Sequence, residues 1–166
     1  MEPARTERAF EGRFLRVDVE VWTDPERRRE IVRHPGAAAV VARDPGGRVI
    51  LVRQVREAVR QRLLEIPAGV FDVEGESPED TARRELLEET GFRARTLERL
   101  GAIVTSPGFS DERIELYLAD AEPAGRPEEG LEVVTLALDE ALEAIDRGEI
   151  TDAKTVAGLL MAARRG

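Results

Sequence analysis

The stretch that decides the fold is GVFDVEGE at residues 69–76, followed after seven residues by RELLEETGF at residues 84–92. Glu85, Glu88 and Glu89 follow the spacing i, i+3, i+4, so they share one face of a helix. Like charges on one face repel each other, and a cation bound between them relieves that repulsion. Carboxylate oxygens are the ligands that Mg²⁺ and Mn²⁺ prefer. The pattern therefore predicts a helix that carries a divalent metal site.

The residues around this stretch mark both ends of the helix. Ser77 is a favourable N-cap, Pro78 suits the first helical position, and Asp80 stands where a capping-box acid reaches back. Gly91 is the residue type expected just beyond the C-terminus, because glycine adopts a left-handed backbone without strain. These signals predict a helix from about 78 to 90.

The same stretch resembles the signature of the Nudix hydrolases. That signature reads Gly, Glu and then Arg-Glu-aliphatic-any-Glu-Glu-any-Gly-aliphatic, and the chain matches it from Glu76 to Gly91. Phe92 takes the place of the final aliphatic residue, and Gly69 lies one residue further from Glu76 than in the signature. The extra residue falls in the loop before the helix, so the spacing of the glutamates is unchanged. The alternative is a solvated helix rich in Glu and Arg, which so many matched positions disfavour.

The resemblance implies an α/β/α sandwich with a mixed β-sheet, here with an N-terminal β-strand extension. It also implies Mg²⁺ as the cofactor, with Mn²⁺ as the alternative. The implied metal ligands are a backbone carbonyl and four carboxylates, those of Ala68, Glu76, Glu85, Glu88 and Glu89. Glu88 and Arg84 are further expected among the catalytic residues, Arg84 by pairing with a signature carboxylate and fixing its position. The alternative for Arg84 is an ordinary ion pair on the helix surface.

Four further segments resemble the ADP-ribose pyrophosphatases of that family, namely residues 53–56, 64–69, 106–112 and 152–155. The resemblance implies substrate contacts from Arg33, Arg53, Arg56, Glu65 and Glu112. The segments have alternatives: Arg53 and Arg56 are also explained as solvated charges at a strand end, residues 106–110 as only a turn, and Glu65 as a residue that alternates outward. His34, in a turn before proline and glycine, is assigned no catalytic role.

The general base is expected outside the signature. Family members often recruit a glutamate from a mobile loop that closes over the substrate. After the signature, the long acidic loop with Gly and Pro is at 122–132, and the resemblance places the base at Glu129. Glu128 is the adjacent alternative, and a glutamate of the signature is another. Glu128 and Glu129 are also explained as solvated charges of the loop.

The composition fits one domain of 166 residues with a sizeable core. A net charge of −9 argues against nucleic acid as the main partner. The absence of cysteine excludes disulfides and fits a cytoplasmic location. No apolar run reaches membrane-spanning length, so no membrane partner is expected. Lys154 is the only lysine, and this bias carries no functional inference.

Alternating and apolar runs predict the remaining elements. Val17, Val19 and Val21 alternate with polar residues, which predicts a half-buried strand, and residues 28–33 predict a polar one. The other strands are expected at 37–42, 49–52, 63–66, about 97–105, 113–120 and 131–136. Asp139 and Asp152 are expected to cap the last two helices.

Residues 1–36 are expected to form N-terminal strands that serve dimerisation and complete the substrate site, and residues 37–166 the Nudix hydrolase domain. The polar strand at 28–33 would be an exposed edge in a monomer, which favours a homodimer. The expected activity is Mg²⁺-dependent hydrolysis of ADP-ribose, a small-molecule partner, to AMP and ribose 5-phosphate. The alternatives are hydrolysis of another ADP-sugar, a dinucleotide or an oxidised nucleotide, and a catalytically silent ADP-ribose sensor. A sensor would typically lose the signature carboxylates that this chain keeps.

Overall fold

The computed structural model describes residues 2–23 and 26–165. The first strands are β1 (Arg5–Glu11), β2 (Arg16–Thr23), β3 (Glu26–Arg33), β4 (Ala37–Arg43), β5 (Val49–Arg56), β6 (Gln61–Glu65) and β7 (Ala68–Val70). Helix α1 (Pro78–Thr90) follows, and then β8 (Phe92–Ala94), β9 (Glu98–Val104), β10 (Arg113–Pro123) and β11 (Glu132–Leu136). The chain continues with α2 (Leu138–Asp146) and α3 (Ala153–Ala163).

The main sheet has the order β11-β5-β4-β10-β8, with β6 paired to β5, β7 to β4 and β9 to β10. Strands β4 and β10 run parallel, whereas the other neighbouring strands are antiparallel. Strand β4 therefore lies at the centre of a mixed sheet. Its continuous apolar sequence follows from this position, because a central strand is covered on both faces.

Helices cover both faces of the main sheet. On one face, Ala82 and Leu86 of α1 pack against Ala38, Val40 and Ile50. On the other face, apolar residues of α2 and α3 pack against the alternate residues of the same strands, among them Ala39, Val41, Leu51, Ala141, Ala144 and Leu159. The expected α/β/α sandwich with a mixed sheet is thus confirmed.

The N-terminal strands form a separate three-stranded antiparallel sheet, ordered β1-β2-β3. Strand β1, exposed along its length, has no counterpart in the sequence-based prediction. Asp18 and Glu20 of β2 were expected on a solvated face, but both are buried. Arg33 of β3 donates hydrogen bonds to both carboxylates, and Arg8 of β1 donates to Asp18. The neighbouring strands thus supply the countercharges that make burial of these acids tolerable.

The start of α2, two short strands and the ends of β5, β6 and β10 differ from the prediction. The residue before α2 is Ala137, so Asp139 lies inside the first turn and is not the cap; Glu140 instead accepts a hydrogen bond from the Ala137 N–H at 2.7 Å. Strands β7 and β8, of three residues each, were not predicted. Asp152 caps α3 as expected, accepting from the Thr155 N–H. No helix in the described part of the chain is long and apolar enough to cross a membrane.

Candidate active site

Helix α1 begins and ends where the sequence predicts. The Ser77 side chain accepts a hydrogen bond from the Asp80 N–H, and the Asp80 carboxylate accepts from the Ser77 N–H, which completes a capping box. Gly91 has a left-handed backbone with φ of 73° and donates its N–H to the Leu87 carbonyl. Because Ala82 and Leu86 are fully buried, they fix the rotation of the helix and therefore the direction of its glutamates.

Arg84 is the centre of an ion-pair cluster on this helix. Its Nε donates to Glu76 Oε1 at 3.0 Å, and its Nη1 donates to Glu85 Oε1 at 2.6 Å. The same Nη1 reaches Glu88 Oε2 at 3.0 Å, and Nη2 lies 3.6 Å from Asp72 Oδ1. Hydrogen bonding to Glu76 is the main reason that the pKa of Arg84 is raised. In this structure Arg84 is itself the cation that the clustered glutamates require.

The carboxylates in this cluster differ in their surroundings. Glu76 also accepts a hydrogen bond from Thr81 Oγ1 at 2.9 Å. Its hydrogen bond with Arg84 holds the pKa of Glu76 below its ordinary value. Burial has the opposite effect on Glu85 and raises its pKa. Glu88 has a 54% exposed side chain, so it lies at the solvent edge of the cluster.

Glu89 is the buried glutamate of the signature, with only 8% of its surface exposed. Its Oε2 accepts a hydrogen bond from the Ala68 N–H at 3.1 Å, which ties α1 to β7. Burial, with the nearby charge of Glu85, raises the pKa of Glu89 to about 7 despite that hydrogen bond. A cation next to Glu89 would stabilise the ionised carboxylate and lower this pKa.

Gly69 lies against the carboxyl group of Glu85. A Cβ atom at position 69 would stand 2.0 Å from both Cδ and Oε1 of Glu85, a distance at which atoms overlap. The signature glycine therefore leaves the space that the Glu85 carboxylate occupies. This explains in physical terms why a glycine precedes the acidic loop.

The residues present fit a hard divalent cation. The Glu85 carboxylate lies against Gly69 and offers oxygen ligands. The hydrogen bond between Glu89 and the Ala68 N–H brings a second carboxylate close to the residue whose carbonyl is the implied ligand. Among residues 2–23 and 26–165, no three acidic or histidine side chains already converge on a metal position. Arg84 accounts for this, because it holds Glu76, Glu85 and Glu88 around its own guanidinium.

A second buried cluster lies between β5, β6 and α3. Arg56 donates from Nε and Nη2 to the two oxygens of Glu65, at 2.8 and 2.7 Å. Lys154 also donates to Glu65, and it donates to Asp152 Oδ2 at 2.9 Å. Glu65 is only 1% exposed, so it does not simply alternate outward into solvent. The predicted substrate residue Glu65 has both oxygens engaged by cations of the protein itself.

The two arginines at the end of β5 lie on opposite faces of the sheet, because their positions differ by an odd number. The Arg53 Nε lies 3.5 Å from Glu132 Oε2 on the neighbouring strand β11. The pKa of Arg56 is raised mainly by its hydrogen bond to Glu65, and in part by the charge of Glu89. Arg56 is therefore the arginine close to the signature helix.

The candidates Arg33, at the end of β3, and Glu112, directly before β10, lie near each other. Arg33 Nη1 donates to Asp111 Oδ2 at 3.1 Å, in addition to its bonds with the acids of β2. Glu112 accepts from Thr105 Oγ1 at 2.6 Å and lies 3.6 Å from His34 Nε2. His34 and Phe71 also line a cavity of about 210 Å³ that opens beside this group.

The loop that follows β10 is attached to the end of the signature helix. The N–H groups of Ala124 and Gly125 donate to the Gly91 carbonyl, and the Glu128 N–H donates to the Glu88 carbonyl at 2.8 Å. A Cβ atom on Gly91 would stand 2.8 Å from the Gly125 carbonyl oxygen, so this glycine also permits the close approach. Glu129 is exposed next to this anchor. The predicted base thus lies on a loop that is docked beside Glu88.

Sequence reasoning missed two polar side chains near these groups. Lys154 was noted as the only lysine, yet nothing in the sequence pairs it with Glu65, which lies 89 positions away. Gln54 Nε2 is buried and has no hydrogen-bond partner among the described residues. The period of two along β5 gives the signal for Gln54, since it places this residue on the same face as Arg56.

Comparison with known proteins agrees with this geometry. The methanol dehydrogenase activator of Bacillus methanolicus is 43% identical over 161 residues, which cover 92% of this chain and 86% of the activator. The ADP-ribose pyrophosphatase of Bacillus subtilis (strain 168) is 40% identical over 158 residues, covering 90% and 85%. A crystal structure of an ADP compounds hydrolase superposes with a TM-score of 0.80 at 22% identity, covering 99% of this chain and 94% of that one. At that identity the superposition shows the fold alone.

The family itself follows from the extent of the match. A family model described as NUDIX domain matches residues 32–159, a range that includes the signature helix, the Arg56 cluster and the acidic loop. The signature residues in that range form the ion-pair cluster around Arg84. The chain belongs to the Nudix family.

Proposed function

We propose that this protein hydrolyses the diphosphate bond of ADP-ribose and releases AMP and ribose 5-phosphate, with Mg²⁺ as its cofactor. The observation that carries the proposal is the gathering of Glu76, Glu85 and Glu88 around Arg84, with Glu89 of the same helix within electrostatic reach of Arg56. The relative that is named ADP-ribose pyrophosphatase, at 40% identity over most of both chains, supports this choice of substrate. Nudix enzymes of that kind generally use a divalent metal.

Glu85 and Glu89 would hold the metal together with the Ala68 carbonyl, and Glu76 and Glu88 would complete or orient its surroundings. When bound, Mg²⁺ neutralises charge on the diphosphate and polarises the bond to be broken. Arg84 Nη1 donates to Glu85 Oε1 at 2.6 Å, so a metal held by Glu85 would compete with this hydrogen bond. Arg84 Nε and Nη2 also donate to Glu76, which ties the guanidinium to the start of the helix.

Arg56 is positioned to bind the diphosphate. Its Nε and Nη2 are held by Glu65, and its side chain is 41% exposed. An arginine with one edge fixed presents its remaining N–H groups in a defined direction, which suits a phosphate oxygen. Arg33, Arg53 and Glu112 remain candidates for the nucleoside and ribose ends.

Glu129 is the proposed general base. It lies on an exposed loop whose backbone is attached to α1 at Glu88 and Gly91, so a small movement of the loop tip would bring its carboxylate toward the metal ligands. The carboxylate would accept the proton that the attacking water loses as the new P–O bond forms. Glu128 stands beside it as the alternative.

The proposed activity is tested by incubating ADP-ribose with the protein and Mg²⁺ and identifying the products by chromatography. Equal amounts of AMP and ribose 5-phosphate are expected, with no turnover in EDTA. Glu85→Gln keeps the side-chain shape but removes the charge that binds metal, so it should nearly abolish turnover. A product other than AMP, or full activity of Glu85→Gln at ordinary Mg²⁺, would contradict the proposal.

A homodimer is also part of the proposal, with residues 1–36 of one subunit completing the site of the other. Strand β1 is exposed along its length, and Phe10 and Phe14 at the end of this sheet are more than half exposed. An open sheet edge flanked by aromatic side chains favours pairing with a second copy of the chain. Strand β3 is less open than its sequence suggests, because the Val32 N–H donates to the Phe109 carbonyl.

The name of one relative supports a second candidate function. The methanol dehydrogenase activator is 43% identical to this chain, so we propose activation of a methanol dehydrogenase as an alternative or additional role. The test adds the protein to a methanol dehydrogenase assay, alongside Glu85→Gln. Stimulation by the wild type but not by Glu85→Gln would show that the effect needs hydrolysis. No stimulation by either protein would exclude this candidate function.

A further inference from the structure

We propose that Lys154 is a positioning residue, which holds Glu65 in the orientation that presents Arg56 to the substrate diphosphate. The inference deepens the proposed function and rests on it, because it assigns Arg56 to the diphosphate. The comparison with the pyrophosphatase of Bacillus subtilis supports the reaction, whereas the role of Lys154 is argued from the contacts of this chain alone.

Lys154 lies in the first turn of α3, and Glu65 is the last residue of β6. Lys154 is 8% exposed and Glu65 is 1% exposed, so their ion pair is shielded from solvent. The two oxygens of Glu65 are divided between cations: Oε1 accepts from Arg56 Nε, and Oε2 accepts from both Arg56 Nη2 and Lys154 Nζ. Lys154 therefore fixes one oxygen of the carboxylate that Arg56 binds with two nitrogens.

The position of Lys154 is itself set by α3. Asp152, the N-cap of this helix, accepts from the Thr155 N–H at 3.0 Å and from Thr155 Oγ1 at 2.6 Å. Asp152 also accepts from Lys154 Nζ at 2.9 Å, and Thr155 Oγ1 in turn accepts from the Ile66 N–H at 2.9 Å. The N-terminus of α3 is thus attached directly to the residue after Glu65. This rigid connection transmits the position of the helix to the carboxylate.

The charges explain why a lysine is needed there. Burial pushes the pKa of Glu65 upward, but the hydrogen bonds and charges of Arg56 and Lys154 outweigh it, so this pKa lies below its ordinary value. An ionised, buried carboxylate with one cation removed would turn toward water or draw the remaining cation inward. Without Lys154, Arg56 would follow Glu65 away from the signature helix.

The cluster also leaves Arg56 able to bind a ligand. Glu65 engages Nε and Nη2, and Nη1 has no hydrogen-bond partner in the described part of the chain. Bidentate pairing fixes the plane of the guanidinium, so Nη1 points in one direction. A buried ion pair is by itself weak evidence for stability. This pair instead fixes the orientation of Arg56, whose side chain is 41% exposed.

The test is a double-mutant cycle on ADP-ribose hydrolysis with Mg²⁺, using wild type, Arg56→Gln, Lys154→Met and the double variant. Arg165→Met is the matched control, since Arg165 is a cation near the end of the same helix that pairs with Glu98 on the surface. The affinity for ADP-ribose in EDTA gives a second readout that does not depend on turnover. Thermal melting of each variant reports folding.

Lys154→Met should lower kcat/KM on the order of 10- to 100-fold, as expected when a partner that orients an active-site group is removed. In the Arg56→Gln background it should lower kcat/KM by less than about threefold, because the group that it positions is already gone. The affinity for ADP-ribose in EDTA should follow the same pattern, and Arg165→Met should match wild type. If Lys154→Met does not fold, the cycle is run with Glu65→Gln/Lys154→Met, which removes the buried Glu65 carboxylate together with the lysine that pairs with it.

Three results would overturn the inference. A Lys154→Met enzyme within about threefold of wild type would show that Arg56 does not depend on the lysine. An equal loss in the wild-type and Arg56→Gln backgrounds would show that Lys154 acts on the whole structure. A wild-type protein that neither binds nor hydrolyses ADP-ribose would remove the proposed function as well, whereas the first two results leave that function intact.

Discussion

The buried signature glutamate gives a prediction whose size follows from the structure. Burial raises the pKa of Glu89 from 4.5 to about 7. When the carboxyl is ionised, this difference in pKa lowers the free energy of unfolding by roughly 3 kcal/mol relative to the protonated form. Because the folded pKa is the higher one, proton binding stabilises the metal-free protein fully below the unfolded pKa. This stabilisation is lost as the pH rises through about 7.

Glu89→Gln removes the ionisation and so removes this cost. In EDTA at about pH 8.5, the variant should be more stable than wild type by about 2 kcal/mol, less than the full difference because the new amide N–H₂ needs partners of its own. For a chain of this size, that gain corresponds to a rise in Tm of roughly 4–8 °C. At about pH 5, where Glu89 is largely protonated, the two proteins should melt within about 2 °C of each other.

The assay is thermal unfolding across this pH range, with Glu88→Gln as the matched control. Glu88 is the adjacent glutamate with a 54% exposed side chain, and its replacement should change Tm by less than about 2 °C at either pH. Adding Mg²⁺ should then favour wild type over Glu89→Gln, since only the carboxylate binds the metal. A Glu89→Gln protein that is less stable than wild type at high pH in EDTA would refute the reasoning.

Three further predictions follow from the same site. Gly69→Ala places a methyl group on the Glu85 carboxyl, so kcat should fall at least about 10²-fold while circular dichroism stays native; wild-type activity would show that the carboxyl moves away without loss. Glu129→Gln should lower kcat by about 10²–10⁴-fold, measured at saturating ADP-ribose, and a value near wild type would transfer the role to Glu128 or a signature glutamate. Light scattering should give a dimer of the 18.4 kDa chain, and a fully active monomer would exclude the exchange of N-terminal strands.

Local sequence signals were sufficient for the signature helix. Ser77, Asp80 and Gly91 act through contacts within a few residues, so the predicted and observed bounds of α1 agree. The central strands were equally accessible, because a strand covered on both faces is apolar along its whole length. These features depend on short-range chemistry that a single sequence contains.

Long-range pairing explains what the sequence did not predict. Asp18 and Glu20 alternate like solvated residues, but Arg33 and Arg8 arrive from neighbouring strands and make their burial possible. Glu65 was expected to point outward for the same reason, because its partner Lys154 lies on the last helix, 89 positions away in the sequence. Strand β1 has no clear apolar alternation, because neither of its faces is covered.

At the candidate site, the sequence predicted a set of residues but not how their charges are paired. The spacing of the glutamates predicted a cation near them, and the structure shows that Arg84 pairs with three of the acidic residues. The predicted strand ended at residue 52, so Arg53 and Arg56 were not placed on opposite faces until the structure showed that β5 continues to Arg56. Pairing with β6 and β11 then directs one toward the signature helix and the other toward Glu132.

The choice of ADP-ribose as substrate is tested by a competition for turnover at saturating Mg²⁺. ADP-ribose, 8-oxo-dGTP and a diadenosine polyphosphate are supplied together at equal, sub-saturating concentrations, and the loss of each is followed by chromatography, so that the ratio of rates equals the ratio of kcat/KM. ADP-ribose should disappear first, with AMP and ribose 5-phosphate as its products. Turnover of either competitor on the order of a hundredfold more efficiently than ADP-ribose would contradict the account.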